Sequence, residues 1–587
     1  MINEFIRTKI VCTIGPASED SETLGKMIDE GMDVCRLNFS HGTHDEHRKR
    51  IDTIKEVRRQ KGVPIAILLD TRGPEIRTGT FEEKDILLEV GQAFTITMDD
   101  IVGNKERCTV TYKELVKDVS IGDRILIDDG LIELLVKELT EKDIICEVIN
   151  SGYINNRKGV NVPGVRTNLP AITAKDESDI IFGIENEIDY IAASFVRKVS
   201  DVIEIKRILE HNGGNKIKII AKIENQEGID NIAEILDVAD GIMIARGDLG
   251  VEVPTEQMPM LQKELIKACN KISKPVIVAT QMLDSMIRNP RPTRAEVTDV
   301  ANAILEGTDA IMLSGETAAG KYPVQAVETM NRIAHATEST IDFDDNLHRK
   351  KHDKQLTITN AISHATCITA SDLKAKAIVT ATARGFTARV VSSYRPGAPI
   401  IASTSDERAY TQMNLLWGVI PIKGPEVTDT EELLRSAVDE AILQDHIHEG
   451  DLVVITAGVP VGKSGNTNLV RVHVAMKIIV QGIGVGNSKF AGKAQIVNAT
   501  TSPHVFQKGN ILVTSATDKE MMKMAVKASA IITESDEITS DVAMAGLNLG
   551  IPVIVAAKDA TKLIKDGEMV TVDAEFGRVY AGELSMI

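Results

Sequence analysis

Lys222 and Glu224 stand two residues apart in the stretch KIIAKIEN, and Asp248 follows in ADGIMIARGDLG. On an extended strand, residues two apart point to the same face. Each stretch is an apolar run closed by charged groups, so Glu224 and Asp248 are expected at neighbouring strand ends. Two carboxylates so placed suit a hard cation of the Mg²⁺ kind, with substrate oxygens completing its shell. Lys222 beside them would offer positive charge to a phosphoryl or enolate oxygen. The Gly247-Asp248-Leu249-Gly250 turn is expected to open a helix whose first amides suit an anion. A structural salt bridge between Lys222 and a carboxylate is the plainer alternative.

A second constellation lies earlier in the chain. RLNFSHG carries Arg36, Asn38, Ser40 and His41, and LDTRGPEIRTG carries Asp70, Thr71 and Arg77. Two arginines near one site can grip a phosphate through paired N–H groups. Asn38, Ser40, Asp70 and Thr71 supply small hard oxygens that suit a monovalent or divalent cation. Helix caps and turns use the same residue types, and that reading stays open.

These residues need a scaffold that brings strand ends together. KIVCT, DVCRLNFS and VPIAILLD are three apolar strands with helical stretches between them. From about 170 the alternation resumes with IDYIAASF, KIIAKIEN, ADGIMIARGDLG, KPVIVATQM and TDAIMLSGETAAG. Eight strand-helix units are the arithmetic of a (β/α)₈ barrel, whose chemistry gathers at the strand C-termini. Between the third and fourth units, residues 72–169 read as dense turns and alternating strands, an inserted antiparallel β domain. The expected division is therefore a TIM barrel of 1–71 and 170–342, a β-barrel lid of 72–169, an α/β unit of 343–475 and a last α/β unit of 476–587.

Composition bounds the function. The 587 residues suffice for three or four domains. With 43% hydrophobic and 26% charged residues, the chain is neither disordered nor fibrous. A net charge of -18 and only 3% aromatics disfavour a nucleic-acid or anionic-membrane partner. The six cysteines include no C-x-x-C pair and read as the free thiols of a reducing compartment. There is no signal-peptide core at the N-terminus, and no uncharged run reaches the ~18 residues of a membrane helix. The expectation is a soluble cytoplasmic protein.

The two C-terminal units carry three further signals. In VTATARGFTARVV, Thr382, Arg384, Gly385 and Thr387 sit on a turn before a helix, which suits a phosphate. AGVPVGKS, ending at Lys463 and Ser464, matches a relaxed P-loop, but a P-loop should open a helix and the following GNTNLVRVHV reads as strand. GIGVGNS lacks a βαβ frame and reads as a linker.

The ordered motifs RLNFSHGTHDEH, LLDTRGPEIRTG, KGVNVPG, IIAKIENQEGI, MIARGDLGVE and VIVATQMLDSM resemble pyruvate kinase over about residues 7–475. The resemblance implies phosphoryl transfer from phosphoenolpyruvate to ADP, followed by protonation of the pyruvate enolate. It implies Mg²⁺ on Glu224 and Asp248, K⁺ on Asn38, Ser40, Asp70 and Thr71, and Glu75 as the acid that accompanies K⁺ dependence. Lys222 would steady the phosphoryl group, which Arg36 and Arg77 would also contact, Gly247 and Asp248 would line the substrate site, and Thr280 would lie near the enolate carbon and take part in its protonation. Arg36, Asn38, Arg77 and Lys158 would serve the nucleotide. The resemblance further implies a phosphosugar or nucleotide effector at Thr382, Arg384, Gly385 and Thr387, with Lys463 and Ser464 as further contacts, and a homotetramer. Residues 476–587 resemble the swivelling phosphohistidine domain of phosphoenolpyruvate-using enzymes. In Thr539-Ser540-Asp541-Val542-Ala543, however, Asp541 stands where the histidine belongs, which argues against phosphocarrier chemistry, and His504 lies in the wrong context. The rival readings are a metal-dependent barrel lyase, which needs no ADP, and a phosphocarrier acting through the tail.

Overall fold

A computed structural model describes residues 5–349, 357–460, 465–476, 478–498, 505–515, 519–535 and 541–583. Lys463, Ser464, His504, Thr539 and Ser540 lie outside the described residues. The chain divides into two compact units.

The first unit is built on eight parallel strands that close on themselves: β1 (Lys9–Thr13), β2 (Val34–Asn38), β3 (Ala66–Asp70), β4 (Tyr190–Ala193), β5 (Lys218–Ile223), β6 (Gly241–Ala245), β7 (Val276–Ala279) and β8 (Ala310–Leu313). Ladders run between every neighbour, and β1 pairs with both β2 and β8. The strands are near-continuous apolar runs because both faces are covered. Val11, Val34, Leu68, Tyr190, Ile220, Met243, Ile277 and Met312 fill the barrel interior. The alternate residues, such as Ile10, Leu37, Ile67 and Ile219, pack outward under the helices.

Helix starts are written locally. Thr43 with Glu46, Thr173 with Asp176 and Thr293 with Glu296 form capping boxes, each satisfying two orphan amides. Asp176 does more: its Oδ1 also accepts a 3.0 Å bond from the Gly73 amide, tying the loop after β3 to the helix Ala174–Glu185.

The insertion after β3 is a six-stranded sheet and a two-stranded sheet around an apolar core of its own, with Phe94, Ile96, Leu134 and Val148 fully buried. Its ladders are antiparallel except one, Ala93–Thr97 with Arg107–Thr109, which is parallel. Asn161 on this insertion bonds Glu252 Oε1 of the barrel at 3.1 Å.

Strand and helix alternate beyond 357, with helix Ile358–Asp372, strand Ala377–Ala381, helix Phe386–Ser392, strand Ile400–Thr404, helix Glu407–Gln412 and strand Val419–Lys423. The stretch after AGVPVGKS is indeed a strand, Leu469–Val474. The second unit contains a mixed eight-stranded sheet, with parallel strands from Lys489–Val497 through Val553–Val555 and antiparallel edges. Here GIGVGNS departs from expectation. Ile483–Val485 is an edge strand paired with Val553–Val555 rather than a linker. The glycines are what allow it, since a Cβ on Gly484 would overlap the Ala574 carbonyl and one on Gly482 the Val555 carbonyl.

Candidate active site

Lys222 is the last-but-one residue of β5, and its ammonium reaches into a ring of oxygens at the C-terminal mouth of the barrel. Lys222 Nζ lies 3.1 Å from Asp70 Oδ1, 2.9 Å from Glu224 Oε1 and 2.7 Å from Ser194 Oγ. Burial alone would lower the pKa of this lysine, but Asp70 and Glu224 outweigh it and hold the pKa above the ordinary value. Glu224 sits one residue past the strand. Burial pushes its carboxyl up to about 7, with the Asp248 charge adding to the rise and Lys222 opposing it. Its second oxygen accepts a 2.6 Å bond from the Phe195 amide.

Asp248 is not at the end of β6, as expected, but in the first turn of the short helix Arg246–Glu252. The strand stops at Ala245 because the chain turns there to begin the helix. Burial raises the Asp248 carboxyl too, and Asp129 and Glu75 add to it. Two hard carboxylates that burial and neighbouring negative charge hold above their ordinary range are a donor set that a divalent cation relieves. Among the described residues no third His, Cys, Asp or Glu completes a protein-only cage, so substrate oxygens or water would fill the shell.

The Arg36 and Asp70 constellation is also assembled. β2 and β3 pair Asn38 with Asp70 directly. Arg36 Nε donates to Asp70 Oδ2 at 2.6 Å, and its NH1 donates to Thr13 Oγ1 at 2.8 Å. Buried Asp70 is nevertheless held below its ordinary pKa, because Arg36 and Lys222 outweigh the cost of burial. Asn38 Oδ1 accepts from the Ser40 amide at 3.1 Å, and the Thr71 carbonyl accepts from Ser194 Oγ at 2.6 Å. A cation among these oxygens would compete with Lys222 and Arg36 for Asp70.

Thr280 follows β7. Its Oγ1 accepts from the Gly247 amide at 2.7 Å and donates to the Ala279 carbonyl at 2.6 Å. Thr280 and Gln281 have φ of 70° and 54°, and a β-branched residue in that region costs of order 1–3 kcal/mol. Arg246 secures the turn by donating to the Thr280 carbonyl at 2.8 Å while its NH1 pairs with Asp299 at 2.7 Å. Sequence reading missed Arg246 and also Ser194, which lies in the motif ASF but carries no charge to mark it.

A cleft of about 420 Å³ opens between the barrel mouth and the inserted domain, lined by Arg77, Lys158, Glu224 and Asp248 among others. Each predicted cation is already matched by a carboxylate. Arg77 meets Glu75 at 2.5 Å and Lys158 meets Asp128 at 2.9 Å, as Arg36 meets Asp70 and Lys222 meets Glu224. The cleft is therefore a lattice of exchangeable ion pairs rather than a bare positive surface.

The sequence resembles known families along its length. Residues 5–327 match the model described as pyruvate kinase, barrel domain, residues 360–473 match pyruvate kinase, alpha/beta domain, and residues 506–577 match PEP-utilising enzyme, mobile domain. The chain belongs to the pyruvate kinase family. It is a phosphotransferase. A pyruvate kinase of Geobacillus stearothermophilus is 53% identical over 99% of this chain and 100% of its own, and one of Sporosarcina psychrophila is 51% identical over the same shares. The crystal structure of a pyruvate kinase from Cryptosporidium parvum superimposes with a TM-score of 0.77 at 41% identity, covering 80% of this chain and 96% of that one. No helix among the described residues is long and apolar enough to cross a membrane.

The predicted effector residues lie on the turn after strand Ala377–Ala381 and at the start of helix Phe386–Ser392. The Thr382 amide donates to the Ser403 carbonyl at 3.0 Å, and Gly385 takes φ of 75° as the N-cap of Phe386–Ser392. Buried Thr387 shares a 3.0 Å bond with Thr467, whereas exposed Arg384 lines a separate cavity. In the mobile-domain match, Asp541 is exposed at the first position of the helix Asp541–Leu549.

Proposed function

We propose that this cleft carries the pyruvate kinase reaction, phosphoryl transfer from phosphoenolpyruvate to ADP, with Lys222, Arg36 and Thr280 as its working side chains. The observation that carries the reading is the Lys222 ammonium, buried between Asp70 and Glu224 at the barrel mouth. In the step, an oxygen of the ADP β-phosphate forms a bond to phosphorus as the bond to the enol oxygen breaks. The electron pair stays on that oxygen as an enolate, whose terminal carbon then takes a proton. Lys222 and Arg36 offset charge on the moving phosphoryl group, and Arg77 and Lys158 hold the nucleotide by exchanging Glu75 and Asp128 for phosphate. Thr280 Oγ1, anchored by the Gly247 amide, orients the enolate side of the substrate near Gly247 and Asp248.

Glu224 and Asp248 fit Mg²⁺, which when bound neutralises substrate oxygens. Asn38, Ser40, Asp70 and Thr71 fit K⁺ by donor type, a monovalent charge beside the phosphoryl path. The loop of Thr382, Arg384, Gly385 and Thr387 is assigned to a regulatory phosphosugar or nucleotide, supported by the left-handed Gly385 that frees the next amides. Assembly as a homotetramer in the cytoplasm completes the reading, and light scattering of the purified chain tests the assembly.

The deciding experiment replaces Lys222 with Met and follows pyruvate formed from phosphoenolpyruvate and ADP. A loss of about 10²–10³ in kcat is expected for a lost transition-state charge. Full activity in the variant would sink the mechanism, and pyruvate formed without ADP would favour the lyase reading.

A further inference from the structure

The helix Ala174–Glu185 reaches both loops that carry the proposed K⁺ donors. β2 and β3 end side by side, with Asn38 paired to Asp70. Past Asn38 the chain turns: the Ser40 amide donates to Asn38 Oδ1 at 3.1 Å, and the Phe39 amide donates to the Asp70 carbonyl at 2.9 Å. Lys175, in the first turn of the helix, donates from Nζ to the Phe39 carbonyl at 2.9 Å. The next residue, Asp176, holds the Gly73 amide of the loop after β3. Two consecutive side chains of one helix thus grip the backbone between Asn38 and Ser40 and the backbone just beyond Asp70 and Thr71.

Lys175 is itself held. Its Nζ lies 2.6 Å from Asp179 Oδ2, a carboxylate only 1% exposed, whose other oxygen lies 2.7 Å from His44 Nε2. The His44 ring stacks on Phe182 at 4.4 Å, and Phe39 packs against both His47 and Phe182. His47 fixes the far end of the same turn through the His41 carbonyl at 2.8 Å. Helix stability does not call for this arrangement. A cation in the first turn opposes the helix macrodipole. Lysine four residues before aspartate is also the less favourable order for a helical pair. What the placement achieves is the bond from Nζ to the Phe39 carbonyl.

We propose that Lys175, held by Asp179, is a positioning residue that fixes the separation of the two donor loops and so sets which monovalent cation the enzyme accepts. The inference rests on the proposed K⁺ donors Asn38, Ser40, Asp70 and Thr71. An ammonium has no lone pair for a cation, so Lys175 acts only through the backbone it holds. Cation sites discriminate by cavity size, donor number and flexibility. With both loops pinned to one helix, the oxygen cage resists shrinking around Na⁺ or Li⁺, and the larger K⁺ keeps its advantage. Without Lys175 the Phe39 carbonyl is released, the turn from Asn38 to Ser40 loosens, and the smaller ions gain relative to K⁺.

The test compares the full-length parent with Lys175→Met, Lys175→Arg and Ser40→Ala in KCl, NaCl and LiCl, with tetramethylammonium chloride holding the ionic strength constant. Two readouts are followed: pyruvate formation, and the thermal unfolding midpoint, which rises when an ion binds the folded state. In Lys175→Met the K⁺ concentration at half effect should rise about tenfold by both readouts, the scale of losing a group that orients metal ligands. Its preference for K⁺ over Na⁺ should shrink. Lys175→Arg keeps a cationic donor and should restore most of both. The Mg²⁺ concentration at half activity should not move, since the loops concerned carry neither Glu224 nor Asp248. If the parent does not respond to K⁺, or Ser40→Ala responds as the parent does, the K⁺ reading falls and the inference with it. If the parent and Ser40→Ala behave as expected while Lys175→Met keeps the parent's K⁺ midpoint and ion preference, the inference alone fails. An equal shift in Mg²⁺ dependence, or no rescue by arginine, would make Lys175 a general support of the fold and also overturns it.

Discussion

Ser194 Oγ accepts a 2.7 Å hydrogen bond from Lys222 Nζ and itself donates to the Thr71 carbonyl at 2.6 Å. One small hydroxyl thus fixes the Lys222 ammonium and joins it to the backbone of the proposed K⁺ site. A hydrogen bond to a charged group contributes about 1.5–3 kcal/mol. Ser194→Ala should therefore lower kcat by roughly ten- to a hundredfold while leaving KM for ADP unchanged, because the proposed nucleotide contacts, Arg77 and Lys158, are untouched. Steady-state kinetics with both substrates varied decide it. An unchanged kcat would mean that Asp70 and Glu224 alone hold the lysine.

Metal dependence gives a second expectation. Removing divalent ions with a chelator should abolish pyruvate formation, and Mg²⁺ should restore it. Glu224→Gln keeps the shape and removes one anionic donor, so the Mg²⁺ concentration at half activity should rise about tenfold or more, the equivalent of about 1.4 kcal/mol. A variant with unaltered Mg²⁺ dependence would remove Glu224 from the donor set.

Much of this site was legible because its residues sit where period and polarity break together. KIIAKIEN and RLNFSH are apolar runs that end in charge, and a closed parallel barrel converts such ends into one shared mouth. Asp248 was misplaced by a few residues because Gly247 lies inside the first helical turn, and an apolar run followed by Arg-Gly-Asp does not say where extended backbone stops. Ser194 and Arg246 were missed for a different reason. Their roles depend on what folds against them, Lys222 and Thr280, and both partners are far away in sequence. The ion pair that masks Lys158 was likewise invisible, because Asp128 becomes its partner only once the inserted domain has folded, whereas Glu75 stands two residues from Arg77 in the sequence. GIGVGNS failed as a linker since composition records the glycines but not the carbonyls that approach them.

A buried ion pair beneath the barrel sets a stability expectation. Arg395 NH1 lies 2.8 Å from Asp309 Oδ1, with both side chains 6% exposed, and the guanidinium stacks 4.9 Å from the Trp417 ring centre. Asp309 also accepts the Val276 amide at 3.0 Å. Asp309→Ala leaves the guanidinium buried without its carboxylate, a change that costs about 3–5 kcal/mol. The sequence contains a single tryptophan, so the urea transition followed by Trp417 fluorescence reads this region directly. An unmoved midpoint would mean that Asn270 and the Gly307 carbonyl suffice for Arg395.

His47 supplies the pH dependence. Its ring is 1% exposed, stacks on Phe39 at 3.9 Å, and bonds the His41 carbonyl at 2.8 Å through Nε2. Burial lowers its pKa, and Arg50 and Lys175 add to the fall, while the His41 carbonyl and Asp179 oppose it. In the unfolded chain a histidine takes its proton near about 6.5. Below that pH the unfolded state binds a proton that the folded state refuses, so stability is lost as pH falls from about 6.5 toward the lowered folded value. The loss is at most about 1.4 kcal/mol per pH unit for one such group. Urea midpoints between neutral and mildly acidic pH should fall in the parent and fall less steeply in His47→Gln. Identical slopes would show that the buried ring is protonated in place, with the His41 carbonyl and Asp179 outweighing its burial.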